Sequence, residues 1–165
     1  MRVTIRRATQ NDCEPLMRLW KEISDYHAAL DPIFALAPDA AKYYRENLAR
    51  ILDDENWRVL LADDEGDVVG FIAGATREMP PVFVTKRTGH VSDLLVTARC
   101  RRRGVGEQLY RAMTEWFHER GVTIVELSVA ACNPTAVPFW RKMGFGDYML
   151  RMRTEIKQFQ TPALA

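Results

Sequence analysis

One segment of the 165-residue chain, 91–106, constrains the fold more than any other. An apolar stretch ending in Leu94-Leu95-Val96 runs into a basic turn, Arg101-Arg102-Arg103, and an amphipathic pattern follows. This order predicts a buried strand, a tight turn and a helix in immediate succession. The first turn of such a helix has backbone N–H groups without intrahelical partners and the positive end of the helix dipole. The segment therefore predicts an anion site, and phosphate is the favoured ligand.

Two glycines in this turn support the phosphate interpretation. Gly104 and Gly106 permit unusual backbone angles and keep Cβ atoms away from a ligand, while the arginines add bidentate donors. A Rossmann fingerprint would need a third glycine where Leu109 stands, and the Gly-Lys-Ser/Thr of a Walker loop is missing from the sequence. The alternative is that the arginines form a solvated face and the glycines only turn the chain.

Hydrophobic periodicity predicts ten elements in the order β-α-α-β-β-β-α-β-α-β, a mixed α/β class of α+β type in one domain over 1–165. Strands are predicted at Val3–Arg6, Trp57–Ala62, Val68–Ala75, Gly89–Val96, Thr123–Val129 and Tyr148–Ile156. Helices are predicted from about Asp12 to Leu30, Asp39–Leu52, Gly104–Arg120 and Asn133–Met143. A polar turn, 63–67, joins the second and third strands as a hairpin.

Composition narrows the choice of partner. With 23 basic and 22 acidic residues the net charge is +1, which argues against a nucleic-acid partner. Three cysteines without a C-x-x-C spacing predict free thiols, no metal site and a cytoplasmic location. No apolar run approaches the roughly 20 residues of a membrane span, so we expect no membrane partner.

Three sequence signatures in order carry a family resemblance. Arg101-x-x-Gly104-x-Gly106 resembles the Gln/Arg-x-x-Gly-x-Gly/Ala motif of the GCN5-related N-acetyltransferase (GNAT) superfamily. Segment 133–145 resembles the second signature of that superfamily, Asn-x-x-Ala-x-x-Phe-Tyr-x-x-x-Gly-Phe, and the strand ending at Val96 is similar to its fourth strand. The resemblance is clear over 68–145.

The resemblance implies a mixed, mostly antiparallel central sheet flanked by helices, in which strands four and five splay apart around acetyl-CoA. It also implies that a backbone N–H of Leu95 polarises the thioester carbonyl. The cofactor-binding residues that it implies are Leu94, Leu95, Val96, Arg101, Arg102, Arg103, Gly104, Val105, Gly106, Asn133, Ala136, Phe139 and Trp140.

The implied reaction is direct attack of a primary amine, on a small molecule or a peptide, on the thioester. It needs a base, because an alkylamine arrives mostly protonated. The superfamily's usual tyrosine acid is Trp140 here, and Ser92 stands where some members carry an acidic residue. A CoA-binding sensor or interaction module without turnover is the alternative function.

Residues that could replace this acid and this base lie in the fourth strand and in the predicted last strand. Simple alternation places His90 and Ser92 on one face of the strand and Asp93 on the other. Tyr148 serves as an acid only if the last strand folds back over the pocket.

The acceptor side is implied to involve Tyr26, His27, Asp31 and Phe34. His27 and Asp31 are four residues apart, so they could share a helix face and bind an ammonium group, or they could simply end a helix before Pro32. Apolar residues of the last strand, Leu150, Met152 and Ile156, fit either a homodimer interface or the core.

Overall fold

A computed structural model describes residues 2–155 of the chain. Its strands are β1 (Val3–Arg7), β2 (Trp57–Asp64), β3 (Asp67–Glu78), β4 (Arg87–Val96) and β5 (Val125–Leu127). Its helices are α1 (Cys13–Leu30), α2 (Ala40–Asp53), α3 (Val105–Glu119) and α4 (Ala136–Lys142). Short 3-10 helices occupy Gln10–Asp12, Pro32–Phe34 and Ala98–Cys100.

The five strands form one sheet in the order β1-β2-β3-β4-β5. All neighbouring pairs are antiparallel except β4 and β5, which run parallel. The predicted mixed α/β class, with a mostly antiparallel sheet and flanking helices, is therefore confirmed.

Each face of the sheet buries a separate apolar cluster. Leu109, Met113 and Phe117 of α3 pack on one face together with Val69 and Ile72. On the other face α1 and α2 bury residues such as Leu16 and Leu48. These helices show the apolar positions at the 3–4 residue spacing that a one-sided helix needs.

A β-bulge interrupts β4 at Ser92. Ala73 pairs with Asp93 and Gly74 pairs with Val91, so Ser92 is an extra residue opposite β3. Such an extra residue reverses the alternation of side chains and backbone groups beyond it. Odd-numbered residues of β4 before the bulge and odd-numbered residues after it therefore point to opposite faces of the sheet.

The predicted last strand is wrong for its described part. Residues 148–155 contain no strand, and Tyr148, Leu150 and Met152 are exposed, while Ile156 lies outside the described residues. An alternating sequence forms a strand only where a sheet edge offers hydrogen bonds to it. β5 is also shorter than predicted, with three residues instead of seven.

Several other features bear on the site. The described residues contain no helix long and apolar enough to cross a membrane. Within the same residues, no group of three or more His, Cys, Asp or Glu side chains is arranged to hold a metal. Cys13, Cys100 and Cys132 are free thiols.

Candidate functional site: the gap beside strand β4

A gap opens between β4 and β5 beyond the bulge. β5 pairs with β4 only from Gly89 to Val91. From Ser92 to Val96, β4 has no second neighbour among the strands of residues 2–155. An unpaired strand edge carries free N–H and C=O groups, so it can receive an extended ligand as an added strand would.

Hydrogen bonds on either side of the bulge show which backbone groups face the gap. The Gly89 N–H donates to Ile124, on the β5 side, whereas the Thr97 N–H donates to Val69 of β3. Alternate residues of an antiparallel strand point the same way, so the N–H of Leu95 also turns toward β3. The groups of Leu94 and Val96 therefore face the gap.

This direction corrects the predicted role of Leu95. Its N–H faces β3 and its side chain packs in the α1/α2 cluster, so neither is placed to polarise a thioester in the gap. The family resemblance implied this role without regard to the bulge, and the bulge decides which backbone groups face the gap.

The basic turn leads into α3 as the sequence predicted. Gly104 is the N-cap of α3 with φ of 80°, a left-handed conformation that favours glycine, and Arg102 also has a positive φ of 61°. The first-turn N–H groups of α3 follow directly. Arg102 and Arg103 are exposed beside them. This turn has the composition and geometry of an anion site.

Arg101 has a different position from that of its two neighbours. Its Nε donates to the carbonyl oxygen of Val96 at 2.8 Å, and its Nη2 lies 3.5 Å from a carboxylate oxygen of Glu22 in α1. The side chain therefore fastens the end of β4 to α1. Its predicted phosphate contact is not supported by this geometry.

The opposite wall of the gap comes from α4 and the segment before it. A Cβ on Gly106 would lie 3.4 Å from Phe139 and 3.7 Å from Leu94, so α3, α4 and β4 meet around this glycine. Asn133 is buried, and its side-chain oxygen accepts from the N–H groups of Thr135 and Ala136. Only the Asn133 amide NH2 is left to contact a ligand.

Trp140 lies in the core. It is 8% exposed and makes edge contacts with Tyr110, Phe139 and Phe145 at centroid distances of 5.5, 4.9 and 5.3 Å. These contacts make Trp140 part of the α3-side core, and none of them supports its implied contact with the cofactor. The position that carries tyrosine in the family signature has no proton donor at the gap.

The bulge also regroups the candidate bases. Ala75 pairs with His90 and Ala73 pairs with Asp93, and both alanines lie on the same face of β3. His90 and Asp93 therefore share a face, contrary to the simple alternation. The Ser92 hydroxyl instead donates to the Ala73 carbonyl at 3.2 Å.

Their environments shift the two pKa values in opposite directions. Burial raises the pKa of Asp93, while the charge of His27 opposes that rise. Burial lowers the pKa of His90, and the nearby Arg77 charge lowers it further. The raised pKa makes Asp93 a stronger base than an ordinary carboxylate, whereas the lowered pKa favours the neutral form of His90 and makes it a weaker base.

On the acceptor side, α1 brings two predicted residues toward the gap. The Tyr26 hydroxyl lies 3.2 Å from the Asn133 side-chain oxygen and 3.3 Å from the Thr135 hydroxyl. His27 lies 5.8 Å from the Phe34 ring, centroid to centroid. Tyr26 thus links the acceptor side to the α4 wall.

Asp31 does not share a helix face with His27, because it ends α1 in an extended conformation. Its carboxylate accepts from the Ile33 N–H at 3.0 Å and pairs with Arg153 at 2.8 Å. These contacts cap the 3-10 helix and hold segment 148–155 against it. The predicted ammonium contact of Asp31 is occupied by Arg153.

Tyr148 is 79% exposed, and the strand that was to carry it over the pocket does not form in the described residues.

Tyr44 of α2 is a residue near the site that the sequence did not predict. It stacks on Trp20 with 4.3 Å between centroids, and burial together with the Asp93 charge raises its pKa. It resembles an ordinary core position in the sequence, so no signal marked it.

A family model described as the Acetyltransferase (GNAT) family matches residues 16–145. The chain belongs to the GNAT family. Its enzyme class is therefore that of the acetyltransferases, and the resemblance drawn from the three signatures is confirmed.

Two curated relatives agree with this assignment. An uncharacterized N-acetyltransferase of Archaeoglobus fulgidus is 29% identical over 82% of this chain and 88% of the relative. Glucosamine 6-phosphate N-acetyltransferase 1 of Oryza sativa subsp. japonica is 32% identical over 74% of this chain and 72% of the relative.

A solved structure shares the GNAT fold. A predicted acetyltransferase of Clostridium acetobutylicum, crystallised with acetyl-CoA, superposes with a TM-score of 0.76 at 17% identity. The match covers 93% of this chain and 96% of the other. At this identity the likeness establishes the fold.

Proposed function

We propose that the chain transfers an acetyl group from acetyl-CoA to a primary amine by direct attack of the amine on the thioester. The observation that carries the proposal is the bulge at Ser92, which frees the edge of β4 opposite β5 and directs its backbone groups into the gap. The anion-binding turn before α3 lies at the end of the same strand.

The residues present fit acetyl-CoA along this edge. Leu94 and Val96 would offer backbone hydrogen bonds to the pantetheine, as a neighbouring strand would. The pyrophosphate would accept from first-turn N–H groups of α3 and from Arg102 and Arg103. Gly104, Val105 and Gly106 shape this turn, while Asn133, Ala136 and Phe139 form the other wall.

Asp93 is the general base in this proposal. It lies on the α1/α2 face, where the charge of His27 opposes the rise of its pKa and its own charge raises the pKa of Tyr44, both residues of the helices that border the acceptor side. A carboxylate with a raised pKa accepts a proton more readily near neutral pH than an ordinary one. His90 lies on the same face of β4 and is the second candidate for the base. The Ser92 hydroxyl donates to β3 and so helps to hold the bulge in place.

The amine classes follow from the chemistry and from one relative. Because the rice relative is named for glucosamine 6-phosphate, phosphorylated amino sugars come first, followed by aminoglycosides, amino acids and peptide amines. The proposed test measures acetyl-CoA binding by calorimetry and then the acetylated product by mass spectrometry. Mass detection is preferable to thiol reagents because Cys132 is exposed.

Each outcome of this test decides something. Acetyl-CoA binding with a time-dependent acetylated amine supports the transferase. Binding without any product across the panel supports a CoA-binding module instead. No binding at millimolar acetyl-CoA refutes the assignment of the gap as the cofactor site.

An Asp93→Asn variant tests the base. We expect kcat to fall by roughly 10²–10⁴-fold, the range that general bases contribute. In the wild type, the acid limb of kcat/KM should lie above the ordinary carboxyl range, because the Asp93 pKa is raised. The variant should lose that limb.

Stability provides the control for this variant. A buried carboxylate with a raised pKa destabilises the folded protein once the pH exceeds the pKa of the same group in the unfolded chain. Asp93→Asn should therefore be at least as stable as the wild type at pH 7. His90→Gln is the matched comparison. An acid limb that disappears in His90→Gln and persists in Asp93→Asn would assign the base to His90.

A further inference from the structure

Three arginines from three elements lie near the end of α3 that is far from the gap. Arg7 ends β1, Arg58 lies in β2 and Arg120 follows α3. The guanidinium carbons of Arg58 and Arg120 lie 5.3 and 5.6 Å from the centre of the Trp116 ring. Arg7 pairs with Leu60, a residue of the α3-side cluster, so it faces the same side of the sheet.

The cations of this cluster repel one another. Burial lowers the pKa of Arg58, and the charges of Arg7 and Arg120 each lower it further. The charge of Glu119 opposes these effects. Within residues 2–155, no carboxylate forms an ion pair with Arg7, Arg58 or Arg120, although other arginines such as Arg6, Arg87 and Arg99 do.

Two buried donors at this place have no acceptor in the described part of the chain. They are the Nε of Arg58 and the indole N–H of Trp116, whose residue is only 5% exposed. In the described residues, the Arg120 guanidinium makes one hydrogen bond, from its Nη2 to the Glu55 carbonyl oxygen at 2.8 Å. Buried donors without acceptors cost free energy, so an oxyanion at this point would relieve both the repulsion and the missing hydrogen bonds.

We propose that Arg7, Arg58 and Arg120 form a second anion site that binds a phosphate group. A planar guanidinium donates through Nε and Nη together, which matches two oxygens of a phosphate. Near neutral pH phosphate carries up to two negative charges, so it can neutralise three clustered arginines better than a single carboxylate. The ligand is either free orthophosphate or the phosphate monoester of a metabolite.

This site is distinct from the pyrophosphate turn. α3 has 15 residues, which at 1.5 Å per residue separates its two ends by about 22 Å. Arg120 lies at one end of the helix and Gly104 at the other. The inference does not rest on the proposed transferase activity.

The experiment titrates orthophosphate into the protein by calorimetry, with CoA at saturation so that the pyrophosphate turn is filled. A parallel titration with glucose 6-phosphate compares a monoester with the free ion. The same titrations are run on Arg58→Gln, Arg7→Gln and Arg58→Lys. Lys21→Gln is the matched control, because it removes one positive charge at an exposed position on α1.

We expect one saturable phosphate site in the wild type and in Lys21→Gln. Arg58→Gln and Arg7→Gln should weaken phosphate binding at least about tenfold, since hydrogen bonds to charged groups are the strong ones. The phosphate affinity of Arg58→Lys should lie between those of the wild type and Arg58→Gln, because lysine keeps the charge and loses the planar fork. Tighter binding of glucose 6-phosphate than of orthophosphate would assign the site to a phosphate monoester, and tighter binding of orthophosphate would assign it to the free ion.

Other results would overturn the proposal. One is the lack of saturable binding at millimolar phosphate, and another is an equal loss in Lys21→Gln. A third is a lower melting temperature of Arg58→Gln with unchanged phosphate affinity, which would make the cluster a purely structural contact with Trp116. CoA affinity, measured on the same variants, reports separately on the gap.

Discussion

Replacing Trp140 by phenylalanine separates a core role of this residue from a catalytic one. The side chain is 8% exposed and is surrounded by the rings of Tyr110, Phe139 and Phe145. Phenylalanine keeps an aromatic ring but is smaller by roughly 40 Å³, which at about 24 cal/mol per Å³ costs about 1 kcal/mol. Losing roughly 40 Å² of buried apolar surface costs about 1 kcal/mol more.

Weaker edge contacts add up to about 1 kcal/mol. We therefore expect Trp140→Phe to lower the free energy of unfolding by about 2–3 kcal/mol and the melting temperature by about 4–12 °C. Acetyl-CoA affinity and turnover should remain within about threefold of the wild type, a change of less than ~1 kcal/mol.

The assay is urea denaturation followed by far-UV circular dichroism, combined with calorimetry of acetyl-CoA binding. Trp57→Phe is the matched control, because Trp57 is half-buried and packs on the other face of the sheet. Its loss of stability should be smaller. The reasoning would be refuted by a Trp140→Phe protein that keeps its stability within about 0.5 kcal/mol and loses tenfold or more in acetyl-CoA affinity or turnover.

Two further predictions concern charge. Hydrogen bonds from Arg6 lower the pKa of Asp12 to about 2, so this carboxylate contributes stability above its unfolded pKa and loses it as the pH falls through about 2. Asp12→Asn should lower the free energy of unfolding by about 1–2 kcal/mol at pH 7, after allowance for water around the half-exposed Arg6, and by less at pH 2. Equal losses in denaturation curves at the two pH values would contradict this. Gly104→Asp should weaken CoA binding at least about tenfold more than Gly104→Asn in calorimetry, because both side chains tolerate φ > 0 and only aspartate adds a charge beside the pyrophosphate. Equal CoA affinities of the two variants would show that the pyrophosphate does not bind at this turn.

Local sequence was enough to locate most helices and strands. Apolar positions three and four apart marked α1 and α3, and the bounds differ from the prediction by only one residue at each end of α3. The same is true of the anion-binding turn, since glycines and arginines act there through backbone angles and charges within a few residues.

Contacts between distant segments decided what these elements do. Arg101 belongs to the local motif, but the carbonyl oxygen of Val96 and the Glu22 carboxylate determine where its guanidinium lies. Segment 148–155 alternates as a strand would, yet it pairs with no sheet edge in the described residues. A strand needs a partner, and periodicity alone does not supply one.

The sequence by itself determined that residues 91–106 run from a strand through a basic turn into a helix, and this segment together with segment 133–145 identified the family. Only the tertiary structure decided which atoms of β4 face the gap. One extra residue at Ser92, visible only in the pairing with Ala73 and Gly74, turns Leu94 and Val96 toward the gap and places His90 and Asp93 on one face. The physical reason is that a bulge depends on register between two strands, which no single segment encodes.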